Sequence, residues 1–283
     1  MVEALHLGGL SRVFVTDWRS AAPEMRYFSI DNYLADLNVA VDGLEPPVDL
    51  VGLCQGGWLA LVYAARFPGK VRKLVLVGAP IDVRAGESQL SRLAASVPLG
   101  AFEELVRLGD GVVLGQHMLK LLGPALDVNG TDHVLQVPPS IDPIRLHELH
   151  ERFQRWNAST VNLPGTFYLQ VSRWLFKENQ IAEGRFVALG RRINLAEVSN
   201  PIFLLAADND ELVSVDQLFG TARLVSTPKA LIEIATESCG HLSLFLGAKV
   251  LEGTWRRIAD WLGQDPTAPH HQRNDPRETR NIN

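Results

Sequence analysis

The stretch Val48-Asp-Leu-Val-Gly-Leu-Cys-Gln-Gly-Gly-Trp58 decides the fold. Its apolar start predicts a buried β-strand, and the apolar residues 58–65 predict a helix packed against the same sheet. Between them, Gly52-Leu-Cys-Gln-Gly56 has the spacing of a nucleophile elbow, a strained strand-to-helix turn that presents a reactive side chain. The stretch therefore predicts that Cys54 is a nucleophile. The alternative is a buried, unreactive cysteine in a glycine-rich turn.

The glycines of this turn, Gly52, Gly56 and Gly57, have a mechanical role in the prediction. An elbow holds its nucleophile in a strained backbone conformation, and we expect a Cβ atom two residues before or after Cys54 to collide with the neighbouring strand or helix. The helix N-terminus behind Cys54 favours the thiolate. The backbone amide of Gln55 is predicted to donate to a developing oxyanion.

Length and composition exclude several classes of protein. The chain has 283 residues, of which 46% are hydrophobic, enough for one large α/β domain or two small ones. Its net charge of −5 gives no basic surface for nucleic acid, and no apolar run approaches the length of a transmembrane span. Only two cysteines are present, so no disulfide framework is implied and a reducing cytosol is the predicted setting.

The chain falls into three predicted parts. Residues 1–83 and 201–262 form an α/β core, residues 84–200 form an inserted helical cap, and residues 263–283 form a disordered tail without periodicity. The predicted core strands, besides the elbow strand, are 12–16, 74–79, 201–207 and 230–235. The predicted core helices are a short one within 1–10, one capped by Ser29 or Asp31, and a final one over 247–262. The predicted cap helices are 102–108, 112–122, 144–156 and 167–181.

A thiol nucleophile needs a base and a third group that orients the base. Enzymes with this elbow present the three groups in the chain order nucleophile, acid, histidine. Asp210 follows a predicted strand and precedes an apolar pair, so it is the predicted acid. Asp208 is the rival candidate for this role. The alternative is that both belong to an acidic loop that is solvated and has no catalytic role. His241 follows the next strand and is the predicted base.

The other histidines do not fit this order. His147 and His150 lie three residues apart on a predicted cap helix, a spacing that is compatible with a metal site. No carboxylate or cysteine cluster in the sequence completes such a site. We therefore predict no metal, and the thiol chemistry itself requires no cofactor.

The residues also carry a family resemblance. Gly52-Leu-Cys-Gln-Gly-Gly57 resembles the cysteine-containing box of the poly(3-hydroxyalkanoate) synthases, which are related to the intracellular polyhydroxyalkanoate depolymerases within the α/β-hydrolase superfamily. The segments that begin at Val13 and Ile30, and Arg155-Trp-Asn-Ala-Ser-Thr-Val-Asn-Leu-Pro-Gly165, are similar to further synthase segments. The resemblance spans about residues 10–262. It implies an α/β-hydrolase fold, a mostly parallel sheet flanked by helices, with a helical cap.

Two features depart from the family pattern. Cys239 replaces a serine before Gly240-His241, and Ser214 stands where a proline is common. The resemblance also implies a strand and a loop before the first residue of this chain, and that loop supplies a second oxyanion amide. We therefore expect the N-terminal strand of the fold to be missing, with a gap beside the elbow strand or closure of the sheet, and with the Gln55 amide alone in the oxyanion hole.

The resemblance implies a cysteine-dependent acyl transfer on 3-hydroxyacyl (thio)esters, with a 3-hydroxyacyl-CoA or hydroxyalkanoate oligomer as substrate and a cytoplasmic or granule-associated location. Two alternatives remain open at this point. One is a hydrolase, either a depolymerase, an esterase or a thioesterase, and the other is a non-catalytic granule-associated protein. A homodimer is a further open alternative.

Overall fold

The structure, a computed structural model, describes residues 1–122 and 130–264. At its centre lies a parallel sheet of four strands: β1 (Val48–Leu53), β2 (Val71–Val77), β3 (Ile202–Ala207) and β4 (Ile232–Glu237). Their spatial order is β1-β2-β3-β4, and each neighbouring pair is parallel. Every residue of β3 and nearly every residue of β2 is buried, which explains their continuous apolar sequences.

Helices surround this sheet and form the cap. In chain order they are α1 (Val2–Leu7), α2 (Ile30–Asp42), α3 (Gln55–Arg66), α4 (Gln89–Ser96), α5 (Leu99–Leu108), α6 (Gly115–Leu122), α7 (Thr131–Leu135), α8 (Pro143–Ala158), α9 (Gly165–Gln170), α10 (Val215–Phe219), α11 (Thr221–Leu224), α12 (Ser243–Leu246), α13 (Ala248–Glu252) and α14 (Thr254–Gly263). A π-helical segment, Val171–Lys177, continues α9. Short 3-10 helices occupy Pro23–Met25, Leu195–Glu197 and Lys229–Leu231. Within the described residues, no helix is long and apolar enough to cross a membrane.

The two faces of the sheet belong to two hydrophobic clusters. Leu74 and Leu76 of β2 pack with α2 and α3 on one face, whereas Val75 and Val77 pack with α1 and α14 on the other. The alternation follows from the two-residue period of a β-strand. Covered on both faces, the sheet matches the predicted α/β architecture.

Helix α2 begins where the sequence predicts. Ser29 is its N-cap, and its backbone amide donates to Asn32 Oδ1 at 2.8 Å, as part of a capping box. Ile30, Leu34 and Val41 are buried along one face of the helix. The prediction of a helix capped by Ser29 is therefore confirmed.

The predicted strand over residues 12–16 is wrong. These residues form no strand, and Phe14 and Val15 are exposed by 62% and 66%. Strand β1 is the outermost strand of the sheet, and none of the residues that the structure describes pairs with its outer edge. A segment with strand-forming side chains becomes a strand only where a neighbouring backbone completes the ladder.

Two helix predictions also need correction. The predicted helix over 112–122 is split, because Val112–Val113 forms a short antiparallel pair with Leu163–Pro164 before α6 begins. The predicted helix over 247–262 is divided into α13 and α14 at Gly253, whose φ of −98° and ψ of −88° are not helical. The cap also contains a second short pair, Val187–Ala188 with Arg191–Arg192. The predicted tail lies almost entirely outside the described residues.

One buried side chain connects the cap to the core. Asn179, which follows the π-helical segment, donates from Nδ2 to Asp82 Oδ1 at 2.8 Å and accepts from the backbone amide of Val83 at 3.2 Å. Asp82 and Val83 follow β2 in the core. These bonds fix the end of the cap segment that covers the elbow.

Candidate active site

Cys54 occupies the turn between β1 and α3 in the predicted conformation. Its φ is 48° and its ψ is −116°, a backbone conformation that residues other than glycine rarely adopt. Its backbone amide donates to Val77 O at 2.8 Å, which ties the turn to the neighbouring strand β2. The Cys54 side chain is partly exposed. Because Gln55 is the first residue of α3, its amide has no partner within the helix and is free to face a substrate oxygen.

The predicted Cβ collision is found at Gly52 and not at Gly56, and Gly57 has one that the sequence analysis did not predict. A Cβ atom on Gly52 would lie 2.5 Å from Gly56 O, and one on Gly57 would lie 2.2 Å from Ala79 Cβ. Both distances are impossible contacts, so these positions require glycine. A Cβ atom on Gly56 meets nothing within 4 Å, so the expected collision there is wrong. Gly56 lies in the first turn of α3, where side chains point outward.

His241 and Asp210 meet at the carboxyl ends of the strands. His241 Nδ1 lies 2.6 Å from Asp210 Oδ2, and the two side chains are exposed by only 4% and 1%. The other oxygen of Asp210 accepts from the backbone amides of Leu212 and Val213 at 2.8 and 2.9 Å. The carboxylate is therefore fixed in position and points one oxygen at the imidazole.

The rival acid lies elsewhere. Asp208 accepts from Asn209 Nδ2 at 2.7 Å and from Ser238 Oγ at 3.0 Å, and it is exposed. Its hydrogen bonds hold the surface loop rather than the histidine. Of the two aspartates, the structure brings Asp210 to His241.

The protonation of His241 depends on its neighbours. Burial alone would lower its pKa, but the charges of Cys54 and Asp210, together with side-chain hydrogen bonds to both, outweigh burial and raise the pKa of His241 to about 10. The ring thus interacts with the Cys54 sulfur on one side and with the Asp210 carboxylate on the other. The raised pKa keeps the imidazole ring protonated at neutral pH.

Gly78, a residue of the site that the sequence did not reveal, makes room for the histidine ring. It follows β2 with a φ of +52°, and a Cβ atom there would lie 3.2 Å from His241 Cε1 and 3.0 Å from Leu244 Cδ1. The sequence does show a glycine near the end of the apolar run 74–79, but we interpreted this run only as a strand. The opposite side of the ring packs edge-on against Phe245, with ring centroids 5.3 Å apart.

An apolar pocket opens beside Cys54, between the core and the cap. It contains about 850 Å³ of empty space, part of which is open to solvent. Its wall consists of Cys54, Gln55, Pro80 and Leu212 from the core and of side chains from α4, α5, α6, α9 and the π-helical segment. Pockets with such an apolar lining beside a reactive side chain are typical binding sites for small organic ligands.

A known family matches this fold. The model of the alpha/beta hydrolase fold family matches residues 12–248. The chain belongs to the α/β-hydrolase fold family. This α/β-hydrolase is similar to the poly(3-hydroxyalkanoate) polymerase subunit PhaC of Allochromatium vinosum, with 25% identity over 258 residues that cover 89% of this chain and 71% of that protein. The PhaC subunit of Synechocystis is 26% identical and covers 89% of this chain and 69% of that protein. The resemblance that the sequence motifs carry is thereby confirmed.

Solved structures agree on the fold. A monoacylglycerol lipase from Paleococcus ferrophilus superposes with a TM-score of 0.59 at 15% identity, covering 92% of this α/β-hydrolase and 86% of the lipase. An esterase from Exiguobacterium antarcticum gives a TM-score of 0.53 at 15% identity, covering 88% and 80% of the two chains. At this identity the likeness concerns architecture alone.

The second cysteine differs from Cys54 in its surroundings. Cys239 is buried, and burial, followed by the nearby charges of Glu237, Asp208 and Asp210, raises the pKa of its thiol to about 12. A thiol with such a pKa stays protonated at neutral pH and reacts slowly. Cys54 is thus the more accessible of the two thiols.

The two cap histidines with metal-site spacing lie near carboxylates. His150 Nε2 lies 2.5 Å from Asp132 Oδ1, and His147 Nε2 lies 3.4 Å from Glu151 Oε1. Throughout residues 1–122 and 130–264, no three His, Cys, Asp or Glu side chains are grouped so that they could hold a metal ion. His270 and His271 lie outside the described residues.

Proposed function

We propose that this α/β-hydrolase is a cysteine-dependent acyl-transfer enzyme that acts on 3-hydroxyacyl (thio)esters, with Cys54 as nucleophile, His241 as base and Asp210 as orienting acid. The observation that carries the proposal is the chain of contacts from Cys54 through His241 to Asp210 at an apolar pocket. Similarity to the PhaC polymerase subunits supports the choice of hydroxyacyl substrates.

The first half of the reaction forms an acyl-enzyme. His241 takes the thiol proton, and the Cys54 sulfur attacks the carbonyl carbon of the (thio)ester. Negative charge develops on the carbonyl oxygen, where the Gln55 amide donates a hydrogen bond. The tetrahedral intermediate then collapses, the carbon–sulfur or carbon–oxygen bond to the leaving group breaks, and the leaving group takes the proton from His241.

The second half transfers the acyl group to an acceptor. His241 removes the proton of an acceptor hydroxyl, which attacks the thioester carbonyl, and the bond to Cys54 breaks as the thiol regains the proton. When the acceptor is the hydroxyl of another hydroxyacyl chain, the product is a polyester. Such a product would place the enzyme at the surface of a granule.

Hydrolysis is the second candidate function. Cys54 is partly exposed and the pocket is partly open to solvent, so water is able to reach a thioester at Cys54. The chemistry is the same until the acceptor attacks. A hydrolase would release free hydroxy acid instead of polymer.

The test is incubation with 3-hydroxybutyryl-CoA and, separately, with short hydroxybutyrate oligomers, following free CoA thiol, polymer and free acid. Thiol release with polymer supports the transferase, and thiol release with free acid supports the hydrolase. The Cys54→Ala variant is the negative control. Absence of any product from either substrate would contradict both functions.

Thiol labelling distinguishes an enzyme from a non-catalytic protein. An activated Cys54 should react with chloroacetamide near neutral pH far faster than free cysteine, whereas Cys239 should stay unlabelled because it is buried and protonated. Peptide mapping by mass spectrometry reads both sites in one sample. Labelling of Cys54 no faster than free cysteine would favour the non-catalytic alternative.

A further inference from the structure

Phe245 contacts the imidazole ring of His241 but takes no part in the proposed triad. The two ring centroids lie 5.3 Å apart, and the ring planes meet at 76°. The residues are four positions apart in a helical turn, in which the backbone amide of Leu244 donates to His241 O at 3.2 Å. Side chains with this spacing are neighbours on a helix surface. The aromatic contact is therefore built into the turn that follows the histidine.

The Phe245 ring is itself held in place. It is partly buried and packs against the hydrophobic cluster that covers the α1 and α14 face of the sheet. Helix α12, which carries Phe245, is joined to that cluster by Trp255, whose Nε1 donates to Leu244 O at 2.7 Å. Trp255 is fully buried. Because packed interiors have little free space, a ring anchored in this way restricts the motion of its neighbour.

The polar contacts of His241 change during the proposed reaction. Before the substrate arrives, Asp210 Oδ2 lies 2.6 Å from His241 Nδ1, and the Cys54 side chain is hydrogen-bonded to the ring. In the acyl-enzyme, the Cys54 sulfur is bonded to the acyl carbon, so it neither ionises nor holds a proton. The ring therefore loses this polar partner halfway through the reaction, just before it has to activate the acceptor.

A single hydrogen bond does not fix the orientation of a planar ring. The ring is still able to rock about the bond to Asp210, and hydrogen bonds weaken steeply as their angle departs from linear. Gly78 borders the ring without filling the space, since a Cβ atom there would lie 3.2 Å from His241 Cε1 and 3.4 Å from Nδ1. The Phe245 contact is apolar and does not depend on the charge of the sulfur, so it persists after Cys54 is acylated.

We propose that Phe245 is a positioning residue, which holds His241 in its Asp210-bonded orientation while Cys54 carries the acyl group. The inference rests on the proposed function in that it takes Cys54 to be acylated. Before acylation the contact with Cys54 also orients the ring, so the loss of Phe245 has little effect. Phe245→Leu, which keeps apolar bulk but not the planar ring, should therefore slow the transfer of the acyl group far more than its arrival.

The first experiment requires no turnover. Chloroacetamide converts Cys54 to a thioether, whose sulfur, like that of the acyl-enzyme, has neither charge nor proton. Proton NMR then follows the hydrogen on His241 Nδ1, which exchanges slowly with water only while it is bonded to Asp210. We expect alkylation to speed this exchange at least about tenfold in Phe245→Leu, because the bond then opens more often. In the wild type and in Phe245→Tyr, which retains the ring, the exchange rate should stay within about twofold.

Exchange in alkylated Phe245→Leu that is as slow as in the alkylated wild type would overturn the inference. Fast exchange in Phe245→Leu before alkylation would also overturn it, since the role of the ring would then be structural at every stage. Equal acceleration in alkylated Phe245→Tyr would do the same. Where Phe245→Leu does not fold, Phe245→Met takes its place, because its flexible side chain fills the same apolar space.

The second experiment separates the two halves of the reaction with 3-hydroxybutyryl-CoA. Acid-quenched samples show how fast the adduct on Cys54 forms and how fast it decays. In Phe245→Leu we expect formation within about twofold of the wild-type rate and decay at least about tenfold slower, so that the adduct accumulates. Phe67→Leu is the matched control and should change neither rate, because Phe67 lies at the far end of α3 from Cys54 and packs on Tyr63.

Equal slowing of both steps in Phe245→Leu would overturn the inference. The expected exchange rates, without any adduct or thiol release in the wild type, would leave the action of Phe245 on His241 standing and refute the proposed function.

Discussion

At the scale of single residues, the two aspartates after β3 provide a test of the proposed mechanism. Asp210 holds the Nδ1 side of His241, whereas Asp208 is exposed and bonds to Asn209 and Ser238. Two carboxylates two positions apart thus occupy different environments. Asn has nearly the same shape as Asp but lacks the charge, and it replaces one acceptor oxygen by an NH2 donor.

We predict that Asp210→Asn lowers kcat by about ten-thousandfold, because the amide favours the wrong tautomer of His241. Asp208→Asn is the control and should change kcat little. Thioester turnover measured on both variants checks the assignment. A larger loss in Asp208→Asn than in Asp210→Asn would show that the wrong aspartate has been chosen.

The protonation of His241 is a second prediction at this scale. Its pKa is raised to about 10 although burial lowers it, so the ring should still be protonated at pH 8, well above the ordinary titration range of histidine. The Cys54→Ala variant lacks the charge that raises the pKa of His241 most. The pKa of His241 should therefore be lower in this variant, because burial still lowers it.

NMR of the ring nitrogens over a pH series measures both values. Because a raised pKa means that His241 keeps its proton to higher pH in the folded protein, the wild-type signal should stay in the imidazolium position at about pH 8 and be half titrated near pH 10. Titration of wild-type His241 near pH 6.5 would contradict the predicted protonation of the ring.

At the scale of elements, the strand, turn and helix around Cys54 were predictable because each is specified locally. Apolar runs of strand and helix length flank a glycine-rich turn, and the structure has β1, the turn and α3 in that order. The break at Gly253 and the split of residues 112–122 were not predictable. The split depends on a contact with a distant segment, the pairing of Val112–Val113 with Leu163–Pro164. The break lies at a glycine inside an otherwise helical apolar pattern.

The elbow glycines give an element-scale prediction. Gly57→Ala should lower the free energy of unfolding by about 1–3 kcal/mol or more, because its Cβ would overlap Ala79. Gly56→Ala should leave stability unchanged or raise it by up to about 1 kcal/mol, because it replaces glycine in a helix and meets no neighbour. Urea unfolding of both variants checks the difference. Equal destabilisation would contradict the geometry of the turn.

At the scale of the whole molecule, the α/β order and the approximate place of Cys54, Asp210 and His241 followed from the sequence. The carboxyl ends of parallel strands lie on one edge of the sheet, so loops that are far apart in sequence converge there. The space for the His241 ring did not follow, since it depends on the positive φ of Gly78 after β2. The lining of the pocket did not follow either, since it arises where the cap meets the core. Residues 12–16 have strand-forming side chains but pair with no strand among the described residues, and no local pattern reveals whether a pairing partner is present.

The whole account requires one covalent intermediate on one residue. The most direct test is to mix the enzyme with 3-hydroxybutyryl-CoA, quench with acid, and locate added mass by peptide mapping, with Cys54→Ala and Cys239→Ala in parallel. We predict a hydroxybutyryl adduct on the Cys54 peptide in the wild type and in Cys239→Ala, and neither adduct nor thiol release in Cys54→Ala. Undiminished thiol release by Cys54→Ala, or an adduct confined to another residue, would contradict the account.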